Sequence, residues 1–176
     1  ASDVYKRQTM ATPLGLMGQH LPTNTSLMDM IVGLMPGSIG ETSVIAIGVG
    51  AIILLWSGVA SWKTMLSVFL GGGLTAALFQ SLGLSPLAWY EHLFLGGFAF
   101  GAVFMATDPV TSARTETGKW IYGFLIGFMA IVIRLFNPGY PEGMMLAILF
   151  MNVFAPLIDY CVVERNVSAR IKRINK

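Results

Sequence analysis

From Leu146 to Val163 the sequence runs for eighteen residues with one charge, Asp159, and that much apolar chain can cross a bilayer as a helix. The segment before it, Asn137-Pro138-Gly139-Tyr140-Pro141-Glu142-Gly143, is too rich in proline and glycine to be helical. Pro141 suits the first position of a helix, where its missing N–H would have had no partner. Glu142 then falls in the first turn, where the positive end of the helix dipole favours an anion. Beyond Asp159 lies a basic tail, Arg165 to Lys176. Any fold must therefore place an acid at one face of a membrane, an acid with cations at the other, and a span between them.

The same length criterion marks four further spans, giving five at about 43–61, 64–84, 88–106, 119–136 and 143–163. Only 11% of the residues are charged, against roughly 25% in soluble domains, so the chain cannot cover a normal water-facing surface. Its twenty glycines suit helices that must pack closely within lipid. Trp62, Trp89, Tyr90, Trp120, Tyr140 and Tyr160 fall near span ends, as an interfacial aromatic belt would. The expected class is an all-α polytopic membrane protein. Residues 1–8 (ASDVYKRQ) differ from everything after them and read as a foreign or misassembled end, with no signal peptide. In 9–42 a polar connector leads to a short helix, 27–35, which Ser26 can cap and Pro36-Gly37 stops. It is too short to cross and reads as an interfacial or re-entrant half-helix. The spans occupy 43–163, and 164–176 form the tail.

Charge placement orients the bundle. With the tail inside, Lys63, Arg114, Lys119, Arg165, Arg170, Lys172, Arg173 and Lys176 are cytoplasmic, and the five-span region leaves only Arg134 outside. Five spans then put Thr12 and the Gly37–Ser43 loop on the outer face.

Several stretches can carry chemistry. Gly37-Ser38-Ile39-Gly40-Glu41-Thr42-Ser43 is either a glycine turn before a capped helix or, through the same free N–H groups, an anion site. Glu41 argues against a bare phosphate there, so the hydroxyls of Ser38, Thr42 and Ser43 are the better contacts. Asp108 before Pro109 has the form of a helix cap, beside a small-residue face with Gly97 and Gly101. Acids at the ends of spans are functional candidates because charge in hydrocarbon is costly: Glu41 and Glu142 outside, Asp108 and Asp159 inside. Each alone is equally well read as a cap or an interfacial residue. His92 is expected at the outer interface. The single Cys161 excludes an internal disulfide, and two histidines make no metal constellation. There is no P-loop, no dinucleotide fingerprint and no nucleophile–base motif. Topology accounts for the basic tail without nucleic acid.

The blocks GSIGETS, ASWK, WYEHLFLGGFAFGAVFMATDPVTSA, GKWIYG and IRLFNPGYPEGMMLAILFMNVFAPLIDY, with the RNVSARIKR tail, closely resemble the C-terminal half of the B subunit of the Na+-translocating NADH:quinone oxidoreductase. The D subunit of the Rnf complex is the next most similar family, and the resemblance covers 9–176. It implies a membrane subunit of a redox-driven Na+ pump of the bacterial inner membrane, passing electrons from NADH toward ubiquinone beside other membrane subunits. It also implies FMN held by a phosphoester on the last threonine of a Ser/Thr-Gly-Ala-Thr motif. That motif reads Thr9-Met10-Ala11-Thr12 here, which makes Thr12 the candidate, with Met10 where the family has glycine. Riboflavin and quinone sites would depend on N-terminal spans of the full-length subunit. Asp159 aligns with an acid associated with Na+ uptake, and Glu142 and Glu41 are candidates for the Na+ pathway or the flavin environment. The implied fold is ten spans in two inverted halves resembling urea channels, and five spans after a half-helix match one half. The isolated half is expected to be inactive. Two other readings stay open: an Rnf-type D subunit, and half of a solute or ion channel, which would carry no flavin.

Overall fold

Three long helices carry the architecture of the computed structural model, which describes residues 27–34, 37, 40–85, 87–137 and 142–174. In chain order the helices are α1 (Leu27–Val32), α2 (Val44–Trp56), α3 (Trp62–Ser81), α4 (Glu91–Phe94), α5 (Phe98–Phe100), α6 (Glu116–Phe136) and α7 (Met144–Ile174). A π turn, Gly101–Met105, continues α5, and no strand occurs among the described residues. The all-α class is as the sequence implies. The six residues of α1 match the expected half-helix, and Gly33 ends it in the left-handed region at φ 93. Thr12, Ser26, Ser38 and Pro141 lie outside the described residues, as does 1–8.

The five expected segments run back and forth between the two ends, but not all as one continuous helix. Only α3, α6 and α7, of 20, 21 and 31 residues, are long and apolar enough to cross a membrane among the described residues. The first expected span is the 13-residue α2, about 20 Å long against a hydrocarbon core of about 30 Å. It ends early because Ser57 and Gly58 turn the chain, Gly58 at φ 72. The third, 88–106, is broken into α4, α5 and the π turn, with Gly96 at φ 64 between the pieces. Hydropathy registers apolar content and cannot register this loss of continuity.

Glycines set how closely the long helices approach. A methyl group added at Gly123 would lie 2.8 Å from the Thr64 carbonyl oxygen, and one at Gly71 would lie 2.9 Å from the Phe124 Cα. Backbones this close gain dispersion contacts in lipid, where no hydrophobic effect drives helices together. Ser67 reinforces the crossing by donating its hydroxyl to the Trp120 carbonyl. On its other side α6 packs against α7, with Ala130, Ile131, Met144, Ala147, Ile148 and Met151 in one buried cluster. The broken segment beds on the start of α7, where Met144 lies against Gly101.

The chain thereby runs back and forth between two ends. One gathers Glu41, His92, Arg134 and Glu142. The other gathers Lys63, Thr107, Arg114, Glu116 and Asp159. Trp89 packs edge-on to Tyr90 at the first end, and Trp62 edge-on to Trp120 at the second.

Candidate functional site

The first end is built around a break in the backbone. Where Gly96 interrupts the segment, the carbonyls of His92 and Leu95 lose helical partners, and buried carbonyls without partners are costly. Arg134, in the last turn of α6, supplies them. It donates from Nη1 to the His92 oxygen at 2.6 Å and from Nη2 to the Leu95 oxygen at 3.2 Å, with its guanidinium 6.0 Å from the Phe98 ring centroid. Arg134 is only 3% exposed, so the residue counted from sequence as the lone outer cation is an internal staple. The missed signal was a single arginine ending an apolar span, where a charge needs a reason. His92, at the same end, is fully buried, with Nε2 2.7 Å from the Ser85 hydroxyl.

Two of the predicted acids meet here. Glu41, in the turn before α2, seats its carboxylate on Gly97, where a side chain would come within 2.8 Å of Oε2. The Glu142 carboxyl lies in the fields of both Glu41 and Arg134. It precedes α7 rather than occupying its first turn, because Gly143 takes φ 62 where an added methyl would lie 2.8 Å from the Ala130 carbonyl oxygen, and the helix begins at Met144. Burial pushes the Glu142 carboxyl up from its ordinary range, and the Glu41 charge adds to this. Arg134 pulls it down, and the side chain of Glu41 raises it further.

Ser43 caps α2, its oxygen accepting the Ala46 N–H at 3.4 Å, and the Thr42 methyl lies against Gly37. The hydroxyl protons of Thr42 and Ser43 remain available as donors.

The second end treats its acid differently. Asp159 of α7 reaches the start of α6, its Oδ2 accepting the Arg114 N–H at 2.7 Å. Its Oδ1 accepts the Thr115 N–H at 3.0 Å and the Thr115 hydroxyl at 2.6 Å. Thr115 in turn caps α6 through the Gly118 N–H at 3.1 Å. Asp108 is bound locally by the N–H groups of Val110 and Thr111 and by the Thr111 hydroxyl, and it caps a turn rather than a helix. Lys63 and Lys119 both pair with Glu116 beside a cavity of about 420 Å³. The structure thus sets Glu41 and Glu142 at one end and Asp159 at the opposite end. Among the described residues no group of three or more acids, histidines or cysteines converges as a metal cage.

The family model described as the NQR2, RnfD, RnfE family matches residues 3–168. Three curated proteins, each named as the B subunit of a Na(+)-translocating NADH-quinone reductase, are similar over nearly the whole chain. That of Chromohalobacter salexigens is 54% identical, covering 98% of this chain and 44% of its own length. That of Yersinia pestis is 50% identical, covering 93% and 43%, and that of Stutzerimonas stutzeri is 46% identical, covering 98% and 45%. The chain therefore spans less than half the length of the curated relatives it matches.

Proposed function

The chain belongs to the NQR2, RnfD, RnfE family, and we propose that it is the C-terminal part of a membrane subunit of a Na+-translocating NADH:quinone reductase. The observation that carries this is 54% identity over 98% of the chain to a protein of that name. The full-length subunit carries FMN on Thr12 by a phosphoester, and riboflavin with help from the other half of the protein. It works beside the other membrane subunits and hands electrons toward ubiquinone as Na+ is exported. It sits in the bacterial inner membrane with Asp159 and the tail cytoplasmic and Thr12 periplasmic, an orientation supported by the cations clustered at the Asp159 end.

Bound flavin supplies the redox chemistry, and the protein supplies position and electrostatics. The Thr12 hydroxyl oxygen carries the tether. Ser38, Thr42 and Ser43 hold the flavin edge by donating hydroxyl protons. Glu41 and Glu142, beside Arg134, set the charge at that face and offer oxygens to a departing cation. Asp159 stands at the cytoplasmic entry, where its engaged carboxylate attracts Na+ through its charge.

Thr12→Val in the full-length subunit is expected to remove the covalent flavin fluorescence of its band in a denaturing gel, and a persisting band refutes the tether. Because the family model also spans RnfD, an Rnf-type D subunit is the second reading. Ferredoxin as the electron donor to the parent complex would select it.

A further inference from the structure

On the outer side of the α6–α7 pair, at the Asp159 end, lies a groove of about 630 Å³. Its floor is apolar, with Ile121 of α6 and Leu157 and Ile158 of α7, and both Ile121 and Leu157 are open to the surroundings. Its mouth is polar: Thr117 in the first turn of α6, with Arg165 and Asn166 of α7. The mouth exists because Asp159 fixes the start of α6 against the middle of α7, so α7 runs on past its neighbour and carries Arg165 beyond it. Of the adjacent charges Glu164 and Arg165, only the arginine lines the groove. Elsewhere at this end Lys63 and Lys119 are matched by Glu116, but Arg165 enters no ion pair among the described residues.

A ligand for this groove must be apolar along its length and anionic at one end, and must reach the groove from within the membrane. Arginine binds phosphate oxygens through paired N–H donors, and the Asn166 amide and Thr117 hydroxyl can donate to the same group. Basic pockets at the membrane–water boundary attract acidic headgroups, whereas a zwitterionic head brings its own cation toward the arginine.

We propose that the groove binds one anionic phospholipid, its phosphodiester held by Arg165, Asn166 and Thr117 and one acyl chain lying along Ile121, Leu157 and Ile158. This goes beyond the redox reading and does not depend on the flavin.

Cys161 lines the groove and is exposed, so it reports occupancy. The full-length subunit in its purified, delipidated complex is treated with an uncharged maleimide, and alkylation of the Cys161 peptide is followed by mass spectrometry. Phosphatidylglycerol, phosphatidylcholine of the same chains and a short-chain ubiquinone are added separately. Phosphatidylglycerol is expected to slow alkylation about five- to tenfold more than phosphatidylcholine. Arg165→Gln is expected to cancel that difference and Arg165→Lys to keep most of it. Arg170→Gln, outside the groove, should leave it unchanged. Equal protection by both phospholipids would show only a lipid-facing surface and overturn the proposal. So would protection by the quinone alone, or a Cys161 that is unreactive before any lipid is added.

Discussion

The two ends of the bundle handle carboxylates in opposite ways. At the second end Asp159 is saturated by two backbone N–H groups and a hydroxyl, all from the two residues that lead into α6. Its charge is held by uncharged donors that do not titrate, and the result is a fixed joint between α6 and α7. At the first end Glu41 and Glu142 face each other, with a buried arginine held by backbone carbonyls of a broken helix. There burial and the Glu41 charge raise the Glu142 carboxyl above its ordinary range. A saturated acid is a structural anchor, and a half-buried acid beside another acid is a place where ionic state can change with pH or with an arriving cation.

The sharpest way to break this contrast is Arg134→Ala. It strips partners from the His92 and Leu95 carbonyls and removes the cation from Glu142, a loss on the order of 3–5 kcal/mol, the range for breaking a buried charged network. Thermal unfolding of the parent complex would show it. Arg134→Lys is expected to rescue little, since an ammonium cannot reproduce a planar fork spanning two carbonyls.

At the other end Asp159→Ala is expected to cost about 1–2 kcal/mol, the loss of a helix-end cap. Hydrogen exchange should speed up at Arg114, Thr115 and Gly118 while residues near Arg134 keep their protection. The same variant is expected to weaken the Na+ stimulation of quinone reduction. Unchanged Na+ dependence with faster exchange would leave Asp159 as an anchor only.

Much of this division was legible before any coordinates. Alternation of apolar runs with charged loops sorts Glu41 and Glu142 to one end and Asp108 and Asp159 to the other, and the structure keeps that sorting. The pairing of Glu41 with Glu142 was not legible, because it joins a turn before α2 to a turn before α7 and only the packed bundle brings them together. The break in 88–106 was hidden for a related reason. Gly96-Gly97 within an apolar run is compatible with a continuous helix, and the element that stabilises the break is a guanidinium far along the chain, on α6. The early stop of α2 was hidden as well, since Ser57 to Ala60 add little polarity to the window.

A smaller effect sharpens the comparison through pH. The raised Glu142 carboxyl stabilises the fold in its protonated form. Its contribution is complete below the carboxyl's unfolded value and is lost as pH rises through the elevated folded value. The melting temperature of the parent complex is expected to fall as pH rises across that interval, and Glu142→Gln to flatten the slope. A slope unchanged in the variant would mean that Glu142 does not hold the proton. The smallest effect belongs to Glu116, which is exposed to water with its two lysines. Glu116→Gln is expected to leave the melting temperature unchanged, because solvent screens such pairs.

The redox reading stands on one covalent bond. Peptide mass spectrometry of the full-length parent protein, purified from its native membrane, locates any flavin directly. The account predicts FMN joined through its phosphate to the Thr12 side chain. A Thr12 peptide recovered wholly unmodified, with the flavin on another residue or absent from the subunit, would contradict it.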